Sequence, residues 1–515
     1  MPLDVFLDGE GTGNLILKWD KRKDHLMYRE SIFAPIAPEW ATGEVLVGAA
    51  YRKLLLGIPE GIVNREQIKD LPPQLQPSDM WDKMFKLATG LSSPSSPRDA
   101  LRLPQLMPFV PSLAEYACVL GNPRGRWDPG NLLLSTISSG RGGRGLGATK
   151  DLISKLQVVL AVQDNDDVFA RFVEASLQKL PSNAKQPRVE ELESKAPAWR
   201  STITGKFTPS ERFSLDLDDL LDLKPRLTRR QWTVLFEALL RMGLTCHMLW
   251  LCQFNLQVWN MVLNAVEDST SKSAADVENV CWNVHINRSP SLELGKNALP
   301  LMKVRVQENA EARIGINLVL HALDDIAASW QSRVGVPAKD EQKTPADKIA
   351  SFLSHIASHS TEIKALFQAK FKTSLRSFAT KLADANPELL VASSGYTRNL
   401  FEFLRYNLLQ LQTKDDELGP YDQAYLLLKK NKANNAPWIV QPGPATLIMM
   451  VHACCQSFEG IPASMDDFKT YLREYGIYAP TGELQRGQII RDLEQLGLIV
   501  DSPDAGGGRL LVNPF

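Results

Sequence analysis

The spacing of apolar positions changes from one region of the chain to the next. After Lys150, the residues Leu152, Ile153, Leu156, Val159 and Leu160 recur at three and four, and Val168, Phe169, Phe172 and Val173 resume that rhythm beyond "QDNDD". This period predicts amphipathic helices. The opening "DVFLDGEGTGNLILKWD" alternates around Gly9, Gly11 and Gly13, which predicts an N-terminal hairpin of two short strands. Ten prolines between Pro72 and Pro129 exclude long helices there. The apolar run "NLLLSTIS", residues 131–138, is expected to be a strand ahead of the first helix.

Further along, Thr228 with Gln231 has the spacing of a capping box, and the 25 residues 242–266 carry no formal charge. That length would cross a bilayer. His247, Gln253, Asn255, Gln257, Asn260 and Asn264 would be costly in hydrocarbon, however, so a buried core helix, or two in succession, is expected with no membrane contact. Trp232, Trp250, Trp259 and Trp282 suit a large central core.

The last 70 or so residues hold the clearest pattern. Residues 445–458 form an apolar helix, Ser464 caps a second with Phe468, Tyr471 and Leu472 inward, and "YAPTGELQRGQIIRDLEQLGLIV" runs from a third helix into a strand. A Gly-rich turn and return strand follow in "DSPDAGGGRLLVNPF". This order, and "RDLEQLGLIVDSPDAGGGRLLV" in particular, resembles the winged-helix superfamily, whose third helix and wing commonly contact DNA or a protein partner. At 100° per residue Ile489, Ile490, Leu493 and Leu496 face inward, which leaves Gln488, Arg491 and Gln495 opposite, with Arg509 on the wing. These residue types suit base edges and phosphates.

A polar linker over 181–195 and the shift to the C-terminal pattern divide the chain into three units. They are an α+β region (1–195), a central helical domain (196–435) and a winged helix (436–515). The expected fold is therefore mainly α and multidomain, with a small β component at the N-terminus.

Composition narrows the chemistry. The chain has 58 basic against 59 acidic residues, so no global positive field points to nucleic acid, and any such contact must be local. Between 121 and 156, Arg124, Arg126, Arg141, Arg144, Lys150 and Lys155 outnumber Asp128 and Asp151. In "SSGRGGRGLGATKDLISK" the lysine follows the threonine, the reverse of a P-loop, so the segment is read as a basic loop before a helix N-terminus and not as a nucleotide cradle. A second basic run, 364–381, has Phe367, Phe371, Leu375 and Phe378 at helical spacing. From Gly460 onward five basic residues meet eight acids, so the C-terminal unit lacks phosphate-neutralising charge and the Gly-rich segment ranks above it as a phosphate contact.

Catalytic signatures are sparse. Cys246 and Cys252 are six apart, about 240° around a helix, and no C-x-x-C occurs. His355 and His359 lack the glutamate of a metallohydrolase helix. No nucleophile elbow is present. Acids that could hold magnesium are Asp164, Asp166 and Asp167, and Glu191 and Glu193 with Lys195. Six cysteines without a leader segment fit a cytoplasmic protein with reduced thiols. The sequence reads as a non-catalytic DNA-associated or scaffolding subunit of a multi-protein complex, needing no cofactor or metal, with DNA and other protein subunits as partners. By analogy it looks like accessory subunits of bacterial DNA-transaction or phage-defence machineries. The alternatives are a metal-dependent nuclease using the acids above and a pure protein adaptor.

Overall fold

The computed structural model describes residues 46–57, 109–114, 129–141, 146–177, 186–192, 208–268, 270–277, 291–310, 312–313, 316, 345–358, 396–409, 423–431, 433, 435–458, 462–501 and 508–515. These are mainly helical.

Helix α1 (Leu46–Tyr51) runs into a π turn, Arg52–Leu56. Then come α2 (Pro129–Arg141), α3 (Leu146–Leu160), α4 (Val168–Leu177) and the single turn α5 (Val189–Leu192). Helix α6 (Pro209–Leu223) starts where Thr208 Oγ1 accepts the Glu211 N–H at 3.3 Å, with Pro209 in the first turn where no N–H is needed. The 40-residue α7 (Arg229–Asp268) begins at the capping box the sequence marks. The Gln231 side chain accepts the Thr228 N–H at 3.0 Å, and Thr228 Oγ1 accepts the Gln231 N–H at 3.3 Å.

Helix α7 spans about 60 Å at 1.5 Å per residue and is the spine of the molecule. It is long and apolar enough to cross a membrane, yet 94% of its most apolar window is buried inside the fold. Its apolar residues are covered by protein. Trp232 stacks on Phe236 with centroids 4.9 Å apart and donates its indole N–H to the Leu220 carbonyl at 2.9 Å; Trp250 stacks on Phe254 at 5.4 Å. Trp259 is also buried, and Trp282 lies outside the described residues.

Two glycines set how closely helices approach α6. A Cβ on Gly140 of α2 would stand 2.2 Å from the Ser210 carbonyl oxygen, and one on Gly243 of α7 would stand 2.2 Å from the Phe213 ring. Only hydrogen at these positions lets the backbones pack to that distance. Gly140, from the Gly-rich segment, is thus a packing residue.

Residues 131–138, expected as a strand, lie inside α2. Leu132, Leu133, Ile137 and Arg141 fall at helical spacing and are buried. A short apolar run has no period of its own to tell strand from buried helix, and packing against α6 decides it. The expected N-terminal hairpin lies outside the described residues. The first strand among the described residues is β1 (Leu292–Glu293), so the β component they show is C-terminal and not N-terminal. Its strands are two or three residues long, and the strand and return strand expected near the C-terminus are among them, at Ile499–Asp501 and Arg509–Leu511.

Beyond β1 lie α8 (Pro345–Ser358), α9 (Tyr396–Leu408) and the antiparallel hairpin β2 (Leu427–Lys429) and β3 (Trp438–Val440), which brackets residue 435. Then follow α10 (Pro444–Gln456), α11 (Met465–Glu474), β4 (Ile477–Tyr478), α12 (Thr481–Arg486), α13 (Gln488–Gln495) and the antiparallel pair β5 (Ile499–Asp501) and β6 (Arg509–Leu511). Strand β1 pairs in parallel with β4, and Leu294 bridges to Val440, so main-chain bonds stitch the last 80 residues to the body.

Candidate nucleic-acid interface

The C-terminal unit is built from its caps inward. Ser464 Oγ accepts the Asp467 N–H at 3.2 Å while the Asp467 carboxylate accepts the Ser464 N–H at 2.8 Å, a reciprocal pair that fixes the start of α11. The same segment joins the hairpin: Ser464 bridges to Leu510, and the Leu511 N–H donates to the Ala463 carbonyl at 2.7 Å. Helices α10, α11 and α13 pack beside a two-stranded projection, with α12 as an extra turn before α13.

Helix α13 has two sharply different faces. Ile489, Ile490 and Leu493 are buried; Gln488, Arg491 and Gln495 are exposed, as the 100° projection requires. Leu496, expected inward, is 36% exposed because it caps the helix where the chain turns away from the core. On the outer face Gln488 donates to Asp492 at 2.8 Å, and Gln441 holds the other oxygen of that carboxylate at 3.1 Å. Arg491 makes no ion pair among the described residues. Arg509 on β6 is clamped, 3.0 Å from Glu494 and 3.1 Å from Asp501. The face therefore offers one open cation, two amides and a second cation already held by acids.

The basic segment near residue 141 is different. Arg141 ends α2 with a largely buried side chain whose guanidinium donates to Asp218 at 2.7 Å and to the Ser214 carbonyl at 3.3 Å. Lys155 on α3 sits 2.7 Å from both Asp218 and Asp222. Burial raises the Asp218 carboxyl, but Lys155 and Arg141 outweigh it and hold the group below the usual carboxylate range. Lys150 is half-buried on α3. Arg124, Arg126 and Arg144 lie outside the described residues, as does the run 364–381.

Of the candidate magnesium ligands, Asp164 is exposed, while Asp166 and Asp167 are occupied by partners within the fold. Asp166 is buried, with Lys224 on one oxygen and Arg229 on the other at 2.9 Å. Desolvation pushes its carboxyl up; the Gln163 N–H, Lys224 and Arg229 together bring it below its ordinary value. Asp167 caps α4 through the Ala170 N–H at 2.9 Å and takes the Arg229 N–H at 2.9 Å. Glu191 accepts the Arg188 N–H at 3.3 Å, while Glu193 and Lys195 lie outside the described residues. Asp166 and Asp167 organise the fold around Arg229, which also donates to the carbonyls of Phe109, Val159, Leu160 and Ala161. Cys246 and Cys252 are buried on α7 and burial pushes their thiols up, Cys252 to about 12. His355 falls within α8, and His359 is outside the described residues.

A cluster that sequence reasoning missed joins the C-terminal unit to α6. Asp216 is buried and takes the hydroxyl protons of Tyr471 at 2.8 Å and Tyr475 at 2.6 Å on one oxygen, and the Arg212 Nε–H at 2.6 Å on the other. Arg212 continues to Ser457 at 2.9 Å. The signal was present in "RFSLDLDDLL", where Asp216 falls on the apolar stripe of Phe213, Leu217 and Leu220. A carboxylate on a buried stripe requires a partner.

No protein-family model and no curated protein matches the chain.

Proposed function

We propose that the protein is a non-catalytic, DNA-associated docking subunit whose C-terminal unit is a winged helix. The observation that carries this reading is α13: its inner face is buried while Gln488, Arg491 and Gln495 line the outer face beside the β5 and β6 hairpin. Amides and a guanidinium on one helical face are the groups that read base edges in a major groove. The order α10, α11, α13, hairpin, and the bridge from Ser464 to Leu510, support the fold half of the reading. The helical body around α7 then serves as scaffold for other subunits, in keeping with the analogy to accessory subunits of DNA-transaction or phage-defence machineries.

A second reading, a protein adaptor, is favoured by Arg509. Its two carboxylate neighbours leave little charge for phosphate, and Val500 on the hairpin is 50% exposed. A duplex-DNA mobility-shift series at rising salt, on the full chain and on Arg491→Ala, separates the two. Docking on DNA gives binding that weakens with salt and with the substitution. Absence of binding at low salt removes the DNA reading and leaves the adaptor.

A further inference from the structure

The seam between α6 and α11 holds more negative charge than its one buried cation can match. Arg212 is bound by both Asp216 and Ser457, and Glu474, at the end of α11, reaches it only at 3.6 Å. Asp219 lies one turn beyond Asp216 on α6 and makes no hydrogen bond or ion pair among the described residues. Two carboxylates thus share one guanidinium, with Asp219 near enough to feel the charge of both Asp216 and Arg212, inside a contact that joins positions more than 250 residues apart in sequence. Other groups do not relieve this excess. Asp218 and Asp222 on α6 are taken by Arg141 and Lys155, and Glu211 adds a further negative charge beside Glu474. From α11, Asp467 is committed to Ser464; the two tyrosines are held protonated by burial and by Asp216. From α10, Cys454 is kept as a thiol by burial, and burial pushes the His452 imidazole below its ordinary value, with Arg226 close enough to add to that effect and Asp216 to oppose it.

We propose that this seam is a proton-operated joint: the C-terminal unit sits tightly on α6 while Glu474 and Asp219 are neutral, and loosens when both are charged. Burial and the neighbouring Asp216 push Asp219 up to about 6, and burial pushes Glu474 up to about 7 against the pull of Arg212. Both values lie above those of an unfolded chain. The contribution of these groups is therefore fully present below the ordinary carboxylate range and is lost as pH rises through about 6 and then about 7. Loosening would free α11 from α6 in response to pH, while the pairing of β1 with β4 keeps the unit tethered to the body.

The test is hydrogen exchange of the peptide covering 464–475 in the full chain at about pH 5.5 and about pH 8, corrected for intrinsic exchange rates. The opening constant should rise about tenfold across that interval in the wild-type chain. The double variant Asp219→Asn, Glu474→Gln, which mimics the neutral form, should stay protected at both pH values. An opening constant unchanged with pH in the wild-type chain, or a double variant that retains the wild-type profile, overturns the joint.

Discussion

Arg141 and Arg491 are the same kind of residue in two regions that the fold treats in opposite ways. Around α6 the cations are drawn inward: Arg141 and Lys155 meet Asp218, Arg212 meets Asp216, and Arg229 meets Asp166. On α13, Arg491 stands on the surface without an ion pair among the described residues, in a unit where acids outnumber bases. Local charge counts ranked the two regions the other way. The lesson is that net charge over a stretch of sequence says how many cations exist there, whereas availability to a phosphate depends on which of them have already given up their hydration to a buried carboxylate.

The most forceful way to break this contrast is Asp216→Ala. It leaves Arg212 buried without its carboxylate and two tyrosine hydroxyls without an acceptor, and should lower stability by about 3–5 kcal/mol, seen as a fall in the urea midpoint. Asp166→Asn comes next. The amide keeps an acceptor but removes the charge facing Lys224 and Arg229, so a loss of about 2–3 kcal/mol is expected. The same carboxyl is held below its ordinary value, so its contribution is present above the usual carboxylate range and disappears as pH falls through the folded value. The urea midpoint of the wild-type chain should accordingly drop below about pH 4 more steeply than that of Asp166→Asn.

Gly140→Ala tests the packing that buries Arg141. The new methyl would meet Ser210 and Ser214, and overpacking of this kind costs about 1–3 kcal/mol by thermal or urea unfolding. The smallest effect on stability should come from Arg491→Ala, within about 0.5 kcal/mol, because the guanidinium is exposed and makes no ion pair among the described residues. If the DNA reading holds, that substitution should still weaken duplex binding and reduce the salt slope by about one ion. A large stability loss at Arg491, or none at Asp216, would reverse the comparison.

Much of the helical framework was legible because it rests on local rules. The boxes at Thr228 and Ser464 follow from side chains three residues apart, and the inward set Ile489, Ile490 and Leu493 follows from helical periodicity. The residues 131–138 were misread because most of their burial comes from α1 and α6, which are distant in sequence. Within the candidate interface, the outer face of α13 was visible in advance, but the clamp on Arg509 was not. Glu494 and Asp501 reach it only once the hairpin folds back along α13.

By itself, the sequence determined where α7 and α11 start, which residues of α13 turn inward at Ile489, Ile490 and Leu493, and that one long uncharged segment forms a core helix, since these depend on neighbours within a turn or two. Only the tertiary structure decided which charges are used up in the interior, that the Gly-rich segment supplies a packing glycine and a buried arginine, and that Asp216 ties α6 to Tyr471 and Tyr475. Those outcomes depend on pairs some 70 to 260 residues apart, whose desolvation and hydrogen bonding exist only after the chain has brought them together.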